Sequence, residues 1–175
     1  MTNIYNLFKF LEDKEGTKIP FKAKLIYSPD ALTPDDLDVG DDLDLEGTKI
    51  TTLPDGLKVG GNLDLYNTEI TSLPPDLKVG GNLDLMNTKI TSLPSDLKVG
   101  GYLSLRNTKI TTLPDGLKVG GNLNLRNTKI TTFPSGLKVG GSLDLIDTSF
   151  TKYTKEEIRK MIEDKGGEIK SAIFI

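Results

Sequence analysis

The chain of 175 residues contains no cysteine, no histidine and no tryptophan. Without cysteine and histidine it cannot form disulfides, the common zinc sites, histidine-ligated haem or the Ser-His-Asp and Cys-His catalytic arrangements. Cysteine is also absent from many proteins of reducing compartments, so its absence is compatible with a cytoplasmic location. The side chains that most often serve in catalysis and in cofactor binding are therefore absent, and we expect no metal and no cofactor.

The sequence also lacks a strong excess of charge and a long apolar run. Its 22 Lys and Arg residues nearly balance its 25 Asp and Glu residues, for a formal net charge of −3. General nucleic-acid binders usually carry a basic face and a high isoelectric point, so this balance argues against that class. The N-terminal segment is too polar for a signal peptide, and no stretch is apolar enough for a membrane span. We expect a cytoplasmic protein that does not bind membranes.

What the chain has is a repeat with a period of 20 residues. Its consensus is LPxxLKVGGNLDLxNTKITS, and six copies occupy residues 33–152. A divergent first copy precedes five close ones, and the copies begin at Thr33, Leu53, Leu73, Leu93, Leu113 and Phe133. A fixed short period predicts a stack of similar units, each of which buries its apolar side only against its neighbours.

Within a unit, the segment around Leu63 and Leu65 alternates apolar and polar residues, which predicts a short strand. Gly60 and Gly61 permit a sharp turn before that strand, and Pro54 favours an extended segment over a helix. Each unit then reads as a strand, a bend, an extended return and a bend. Equivalent strands one period apart would form a parallel sheet with a spacing of about 4.8 Å. Leucine, valine and isoleucine at fixed positions would form apolar ladders inside the stack.

The motif LxLxxT, followed by LP at a period of 20 residues, resembles the bacterial or phage type of leucine-rich repeat. The resemblance implies a repeat solenoid with a short parallel sheet on one face, irregular return segments and helical caps. It also implies a non-catalytic scaffold that binds a partner protein through its concave strand face. Where the family usually has Asn, this chain has Thr, as at Thr68, with an Asn one position earlier at Asn67. We expect the Thr hydroxyl to hydrogen-bond backbone groups of the turn.

The flanking segments, residues 1–32 and 153–175, are predicted to cap the solenoid. Ile4, Leu7, Phe8 and Leu11 have helical spacing, and the alternating segment over residues 21–27 predicts an edge strand. Thr154 and Glu157 have the spacing of a capping box at the start of a C-terminal helix. The final segment, EIKSAIFI, is predicted to pair with the last strand of the repeats.

With the leucines pointing inward, three columns of residues are expected to face outward from the sheet. The first column consists of Asp42, Asn62, Asn82, Tyr102, Asn122 and Ser142. The second consists of Asp44, Asp64, Asp84, Ser104, Asn124 and Asp144. The third, which we call the variable column because its residue changes at almost every step, consists of Glu46, Tyr66, Met86, Arg106, Arg126 and Ile146.

The variable column carries tyrosine, methionine and arginine, which are enriched at protein interfaces. Two interpretations stay open at this point: a recognition surface, which we favour, or drift at exposed positions. The predicted protein-binding residues are Tyr66, Met86, Tyr102, Arg106 and Arg126, together with Asp64 and Asp84. The acidic front of the columns could face a basic partner, hold Ca²⁺ or simply be solvated, and solvation is the simplest reading.

Two columns of lysines lie elsewhere in the repeat. One consists of Lys58, Lys78, Lys98, Lys118 and Lys138, and the other of Lys49, Lys89, Lys109 and Lys129. Such columns could follow phosphates, but without interleaved aromatic residues a role in solubility is the stronger expectation.

The sequence thus predicts a non-catalytic protein-binding module, with an inhibitor or adaptor of bacterial or phage origin as one form of it. Paired carboxylates such as Asp64 and Asp84 suggest acid–base chemistry only weakly, because a regular sheet face offers no enclosed pocket. We expect a monomer, with a dimer through the C-terminal edge as an alternative. Two other functions are left open: a structural or self-assembling repeat protein, and an acidic mimic that targets a nucleic-acid-binding protein.

Overall fold

The computed structural model describes residues 4–175, so the first three residues of the predicted cap 1–32 lie outside the described part. The repeats form a solenoid in which every coil contributes two short strands to two parallel sheets. The first sheet contains β1 (Asp38–Val39), β3 (Lys58–Val59), β5 (Lys78–Val79), β7 (Lys98–Val99), β9 (Lys118–Val119), β11 (Lys138–Val139) and β13 (Glu168–Ile169). The second contains β2 (Leu43–Asp44), β4 (Leu63–Asp64), β6 (Leu83–Asp84), β8 (Leu103–Ser104), β10 (Leu123–Asn124), β12 (Leu143–Asp144) and β14 (Ile173–Phe174).

The register of both sheets follows the sequence period. Leu63 pairs with Leu83, and Lys58 pairs with Lys78. The predicted solenoid and its parallel sheet of Leu-Asp strands are confirmed. The structure adds the sheet of Lys-Val strands, in a part of the coil for which the sequence predicts only an extended return. Two residues of alternating pattern are too short to distinguish a strand from an extended coil before the neighbouring coils are in place.

The core is a set of apolar ladders that run along the solenoid. In one coil, Leu57, Val59, Leu63, Leu65 and Ile70 are all buried, and their equivalents in the following coils are buried as well. A single coil could not cover these side chains, since their neighbours on two sides belong to the adjacent coils. The apolar ladders predicted from the repeat are confirmed.

The turn after each Leu-Asp strand is held by the threonine that replaces the expected asparagine. The Thr68 hydroxyl donates to the Leu65 carbonyl at 2.8 Å, and the same bond recurs in the other five repeats. Asn67 adopts the left-handed backbone conformation, with φ of 57°. Asparagine tolerates this conformation better than most residues, so the Asn-Thr pair supplies both requirements of the turn.

The glycine pair between the two strands of a coil lets successive coils approach closely. A Cβ at Gly100 would overlap the carbonyl oxygen of Gly80, and a Cβ at Gly120 would overlap that of Gly100. The first member of this row, Gly40, has no such neighbour. The constancy of the glycine row therefore has a steric cause.

The N-terminal cap consists of two helices, α1 (Ile4–Glu15) and α2 (Phe21–Tyr27), followed by 3-10 turns at Pro29–Ala31 and Pro34–Leu37. The helix predicted from Ile4 is confirmed, although Phe8 is the one buried residue of its apolar face. The strand predicted over residues 21–27 is wrong, because that segment forms α2. Phe21 and Leu25, four residues apart, pack against the core, so the helical period determines the fold of this segment.

A buried ion-pair cluster joins the N-terminal helices to the first coil. Lys24 is 2% exposed, and its Nζ lies 2.8 Å from Glu12 Oε1 and 2.8 Å from Asp36 Oδ2. Burial opposes the charge of Lys24, but the hydrogen bonds to Asp36 and Glu12 outweigh it and raise the pKa of Lys24. Burial likewise disfavours the Asp36 carboxylate, yet its bonds to Lys24 and Thr33 lower the pKa of Asp36. Lys24 and Asp36 therefore stay charged and paired at neutral pH.

The C-terminal cap continues the solenoid. A 3-10 turn at Ser149–Lys152 leads to α3 (Lys155–Glu163), whose capping box joins Thr154 and Glu157 as predicted. After α3, β13 pairs with β11 and β14 pairs with β12, which confirms the predicted pairing of the final segment. The tail thus forms the terminal strand of both sheets.

Candidate protein-interaction face

We call the outward side of the second sheet, which contains the even-numbered strands β2, β4, β6, β8, β10, β12 and β14, the strand face. The order of this sheet is β14-β12-β10-β8-β6-β4-β2, so β8 is its central strand. The three columns predicted from the sequence lie on this face or in the turn that follows each strand. All seven predicted binding residues therefore share one surface, but the structure assigns them different tasks.

The first column is mainly a structural ladder. Asn62 Oδ1 accepts from the backbone N–H of Asn82 at 2.8 Å, and Asn82 Oδ1 accepts from that of Tyr102 at 2.7 Å. Asp42 and Asn122 make the same bond to the coils that follow them. These side chains satisfy backbone donors of the next coil and are engaged in holding the stack together.

The second column holds the turn that carries the variable column. Asp64 Oδ1 accepts from the N–H of Tyr66 at 2.8 Å, and Asp84 Oδ1 accepts from the N–H of Met86 at 2.8 Å. Burial, together with the neighbouring Asp64 charge, raises the pKa of Asp84 against the opposing hydrogen bond from Met86. Asp64 and Asp84 thus orient predicted binding residues through the backbone, a role that the alternation of the strand does not indicate.

The backbone of the variable column is held in the same way from coil to coil. The Met86 carbonyl accepts from Asn67 N–H at 3.0 Å, and the Arg106 carbonyl accepts from Asn87 N–H at 3.1 Å. The side chains of Tyr66, Met86, Arg106, Arg126 and Ile146 are half-buried, whereas Glu46 at the front is exposed. This column therefore displays different side chains on a uniform frame.

Among the five close copies, the central coil departs most from the repeat at its strand-face positions. In the coil of β8, Tyr102 replaces the ladder asparagine, Ser104 replaces the turn aspartate, and Arg106 occupies the variable column. The Tyr102 hydroxyl accepts from Asn124 Nδ2 at 3.1 Å, and Ser104 is buried. Among the described residues, Asn122 N–H finds no side-chain acceptor equivalent to those of the other coils. Three outward positions thus change together at the middle of the sheet.

The two arginines of the column differ in their partners. Arg126 Nε lies 3.3 Å from Asp147 Oδ2. Arg106 Nε is buried, and within residues 4–175 it has no hydrogen-bond acceptor. A buried donor without an acceptor is costly, so the placement of Arg106 Nε lowers stability at the centre of this face.

The two ends of the strand face have different character. Exposed carboxylates of Asp42, Asp44 and Glu46 lie at the front, as the sequence predicts. The opposite end carries Ile146 and Phe174, and Phe174 is 47% exposed. Phe174 pairs in register with Asp144 and so takes a second-column position that the sequence analysis missed. An alignment of the tail EIKSAIFI with KVGGSLDL of the last repeat would have revealed it.

The described residues offer no metal centre and no membrane span. Nowhere between residues 4 and 175 do three carboxylates gather as a metal site would require. No helix in that range is both long and apolar enough to cross a bilayer.

No protein-family model, curated protein or solved structure matches the chain.

Proposed function

We propose that the protein is a non-catalytic binding module that engages a partner protein through the strand face. One observation carries the proposal: the variable column changes its side chain in nearly every coil, while its backbone is held by recurrent hydrogen bonds. A uniform frame with diverse side chains is what recognition requires, since the frame supplies position and the side chains supply specificity.

The composition and the placement of the changes favour recognition over drift. Interface energy concentrates in a few aromatic and arginine side chains near the centre of a contact. Tyr102 and Arg106 lie in the coil of the central strand, and Tyr66 and Met86 lie in the two coils before it. Tyr102 also costs the stack one hydrogen bond of the asparagine ladder. A stabilising bond given up for a tyrosine at the centre of the face is consistent with selection for binding.

The proposal extends to the type of protein. The motif resemblance favours a bacterial or phage leucine-rich-repeat protein that works in the cytoplasm, or in the host cytoplasm if a phage encodes it. A small module with one recognition face would serve as an inhibitor or adaptor, and it would act as a monomer. These assignments rest on the resemblance and on the strand face together.

A pull-down with matched variants tests the proposal. The tagged protein is compared with the triple variant Tyr66→Ala, Met86→Ala, Arg106→Ala and with the control Lys89→Ala, Lys109→Ala, Lys129→Ala. Neither set touches the buried ladders, so both variants should keep the melting temperature of the parent within a few degrees. We expect a bacterial partner that the parent and the control retain and the strand-face variant loses. Equal retention by all three proteins would place the binding site elsewhere.

A second candidate function, self-assembly through the C-terminal edge, is favoured by a different observation. β13 and β14 are the last strands of their sheets, and Phe174 on β14 is 47% exposed. Unpaired strand edges are templates for pairing with another chain. Light scattering over a concentration series distinguishes the two functions, because edge pairing predicts a mass that grows with concentration and falls with Phe174→Ser.

A further inference from the structure

A straight row of lysines runs along the outer side of the first sheet, away from the residues of the proposed function. The lysine row consists of Lys58, Lys78, Lys98, Lys118 and Lys138, all of them exposed. Parallel pairing places each lysine directly beside the next, one strand spacing of about 4.8 Å away. Asp38 pairs with the first lysine and Glu168 with the last, so an acidic residue ends the row on each side.

The charges of the row are not neutralised within the described chain. None of the five ammonium groups lies within 4.0 Å of a carboxylate of residues 4–175. In the other lysine column, Lys89 is the one member of the described chain with an ion pair, since its Nζ lies 3.1 Å from Glu69 Oε2. Like charges side by side on a sheet repel each other. An anion that bridges several lysines would relieve this repulsion.

The rear half of the row lies along a shallow groove. The groove has a volume of about 550 Å³, and Lys98, Lys118, Lys138 and Lys170 line it. The valine and the glycine that follow each of Lys98, Lys118 and Lys138 also line it, as does Glu168. The glycines expose backbone without side chains, so a thin chain can approach the ammonium groups along their stems.

We propose that the lysine row binds a linear polyphosphate chain. The ammonium group of lysine suits phosphate as a point charge, whereas carboxylates are bound best by the planar fork of arginine, which this row lacks. Single-stranded nucleic acids need aromatic side chains on which bases stack, and no aromatic residue lines the groove. A repeating anion without bases therefore fits the straight row of cations better than a nucleic acid or an acidic peptide.

The test is a titration of the full chain with sodium polyphosphate, followed by calorimetry at several salt concentrations. The row variant Lys98→Gln, Lys118→Gln, Lys138→Gln is compared with the control Lys89→Gln, Lys109→Gln, Lys129→Gln. Both carry the same net charge, because each replaces three exposed lysines by glutamine. We expect the row variant to lose at least about tenfold in affinity at low salt and the control to lose less than about threefold. For single strands, the slope of log affinity against log salt concentration is about 0.7 per neutralised phosphate. Loss of three lysine–phosphate contacts should therefore reduce the magnitude of this slope by about two.

Three results would overturn the proposal. If the parent did not bind polyphosphate, the proposal would be wrong. Equal losses of affinity in the two variants would show that binding depends on net charge and not on the lysine row. Tighter binding of oligo-thymidylate or poly-glutamate than of polyphosphate would assign the row to another class of ligand. Melting curves of both variants serve as the folding control, and we expect both to remain folded because all the substituted side chains are exposed.

Discussion

The two sheets of the solenoid belong to the same coils but have diverged differently. On the strand face, the variable column, two residues after each strand, changes at almost every coil, while on the first sheet the same lysine recurs in five consecutive coils. The glycines beside that lysine recur for a steric reason, since a Cβ would overlap the preceding coil. No packing contact demands the lysine, which points outward and repels its neighbours. The comparison separates residues that the fold requires from exposed residues that the packing does not determine.

The largest expected effect concerns the glycine row that both sheets share. Gly100→Ala should destabilise the protein by about 3 kcal/mol, because the new Cβ overlaps the Gly80 carbonyl and the coils must separate. Gly40→Ala is the matched control, since nothing lies within 4 Å of its Cβ position. Urea unfolding of both variants measures the difference. Equal stabilities would mean that the coils can move apart without cost, and that constancy of the row has another cause.

A second prediction concerns the hydrogen bond that the asparagine ladder lacks at Tyr102 in the central coil. Tyr102→Asn should stabilise the protein by about 1 kcal/mol, because the asparagine supplies the acceptor that Asn122 N–H lacks. Asn82→Ala should have the opposite sign, since it removes the acceptor that now bonds Tyr102 N–H at 2.7 Å. Thermal unfolding measures both changes. A destabilised Tyr102→Asn variant would show that the tyrosine contributes more to packing than the ladder bond does.

A third prediction uses the raised pKa of Asp84. Because the folded state holds the proton more tightly than the unfolded chain, ionised Asp84 costs stability at pH above its folded pKa, and the cost disappears as pH falls. Asp84→Asn should therefore stabilise the protein at pH 7 by less than about 1 kcal/mol and change little in acid. Asparagine keeps the turn, since Asn124 Oδ1 makes the same bond to Arg126 N–H.

The control for Asp84→Asn is Asp144→Asn. Asp144 lies between Asn124 and Phe174, so no carboxylate stands beside it in either adjacent strand. We expect a smaller change in stability at pH 7. A gain that is equal at pH 3 and pH 7 would contradict the electrostatic explanation.

The smallest expected effect tests repulsion in the lysine row. Lys98→Gln should stabilise the protein by about 0.3 kcal/mol at low salt, because it removes the repulsion of Lys98 from Lys78 and from Lys118. The gain should vanish in high salt, which screens exposed charges. Lys89→Gln should not stabilise, since it removes the partner of Glu69. Unfolding curves at two ionic strengths decide the matter, and identical responses of the two variants would mean that the row carries no net repulsion.

Much of this architecture could be predicted from the amino-acid sequence. The period of 20 residues, the strand at Leu63, the threonine bond of the turn and the capping box at Thr154 are all present in the structure. Each depends on contacts within one coil or on exact repetition. The sequence predicts a strand over residues 21–27 because the segment alternates, but the packing of Phe21 and Leu25 against the core and the ion pairs of Lys24 favour a helix.

The candidate site was predicted less completely than the fold. Tyr66, Met86 and Arg106 could be named because the repeat makes any departure visible. The tasks of Asp64 and Asp84 could not be predicted, since a carboxylate that points outward has the same sequence pattern whether it binds a partner or a backbone N–H. The position of Phe174 on the strand face was not predicted, because α3 separates its strand from the repeats and interrupts the period.

By itself, the sequence determined that the chain forms a stack, which side chains point inward and which column varies. These properties follow from periodicity, because identical units can bury their apolar residues only against one another. The tertiary structure alone decided that β8 is central, that the lysine row lies on a second parallel sheet and that Arg106 Nε has no acceptor within the described chain. Those properties depend on distances between coils, and such distances exist only once the coils have stacked.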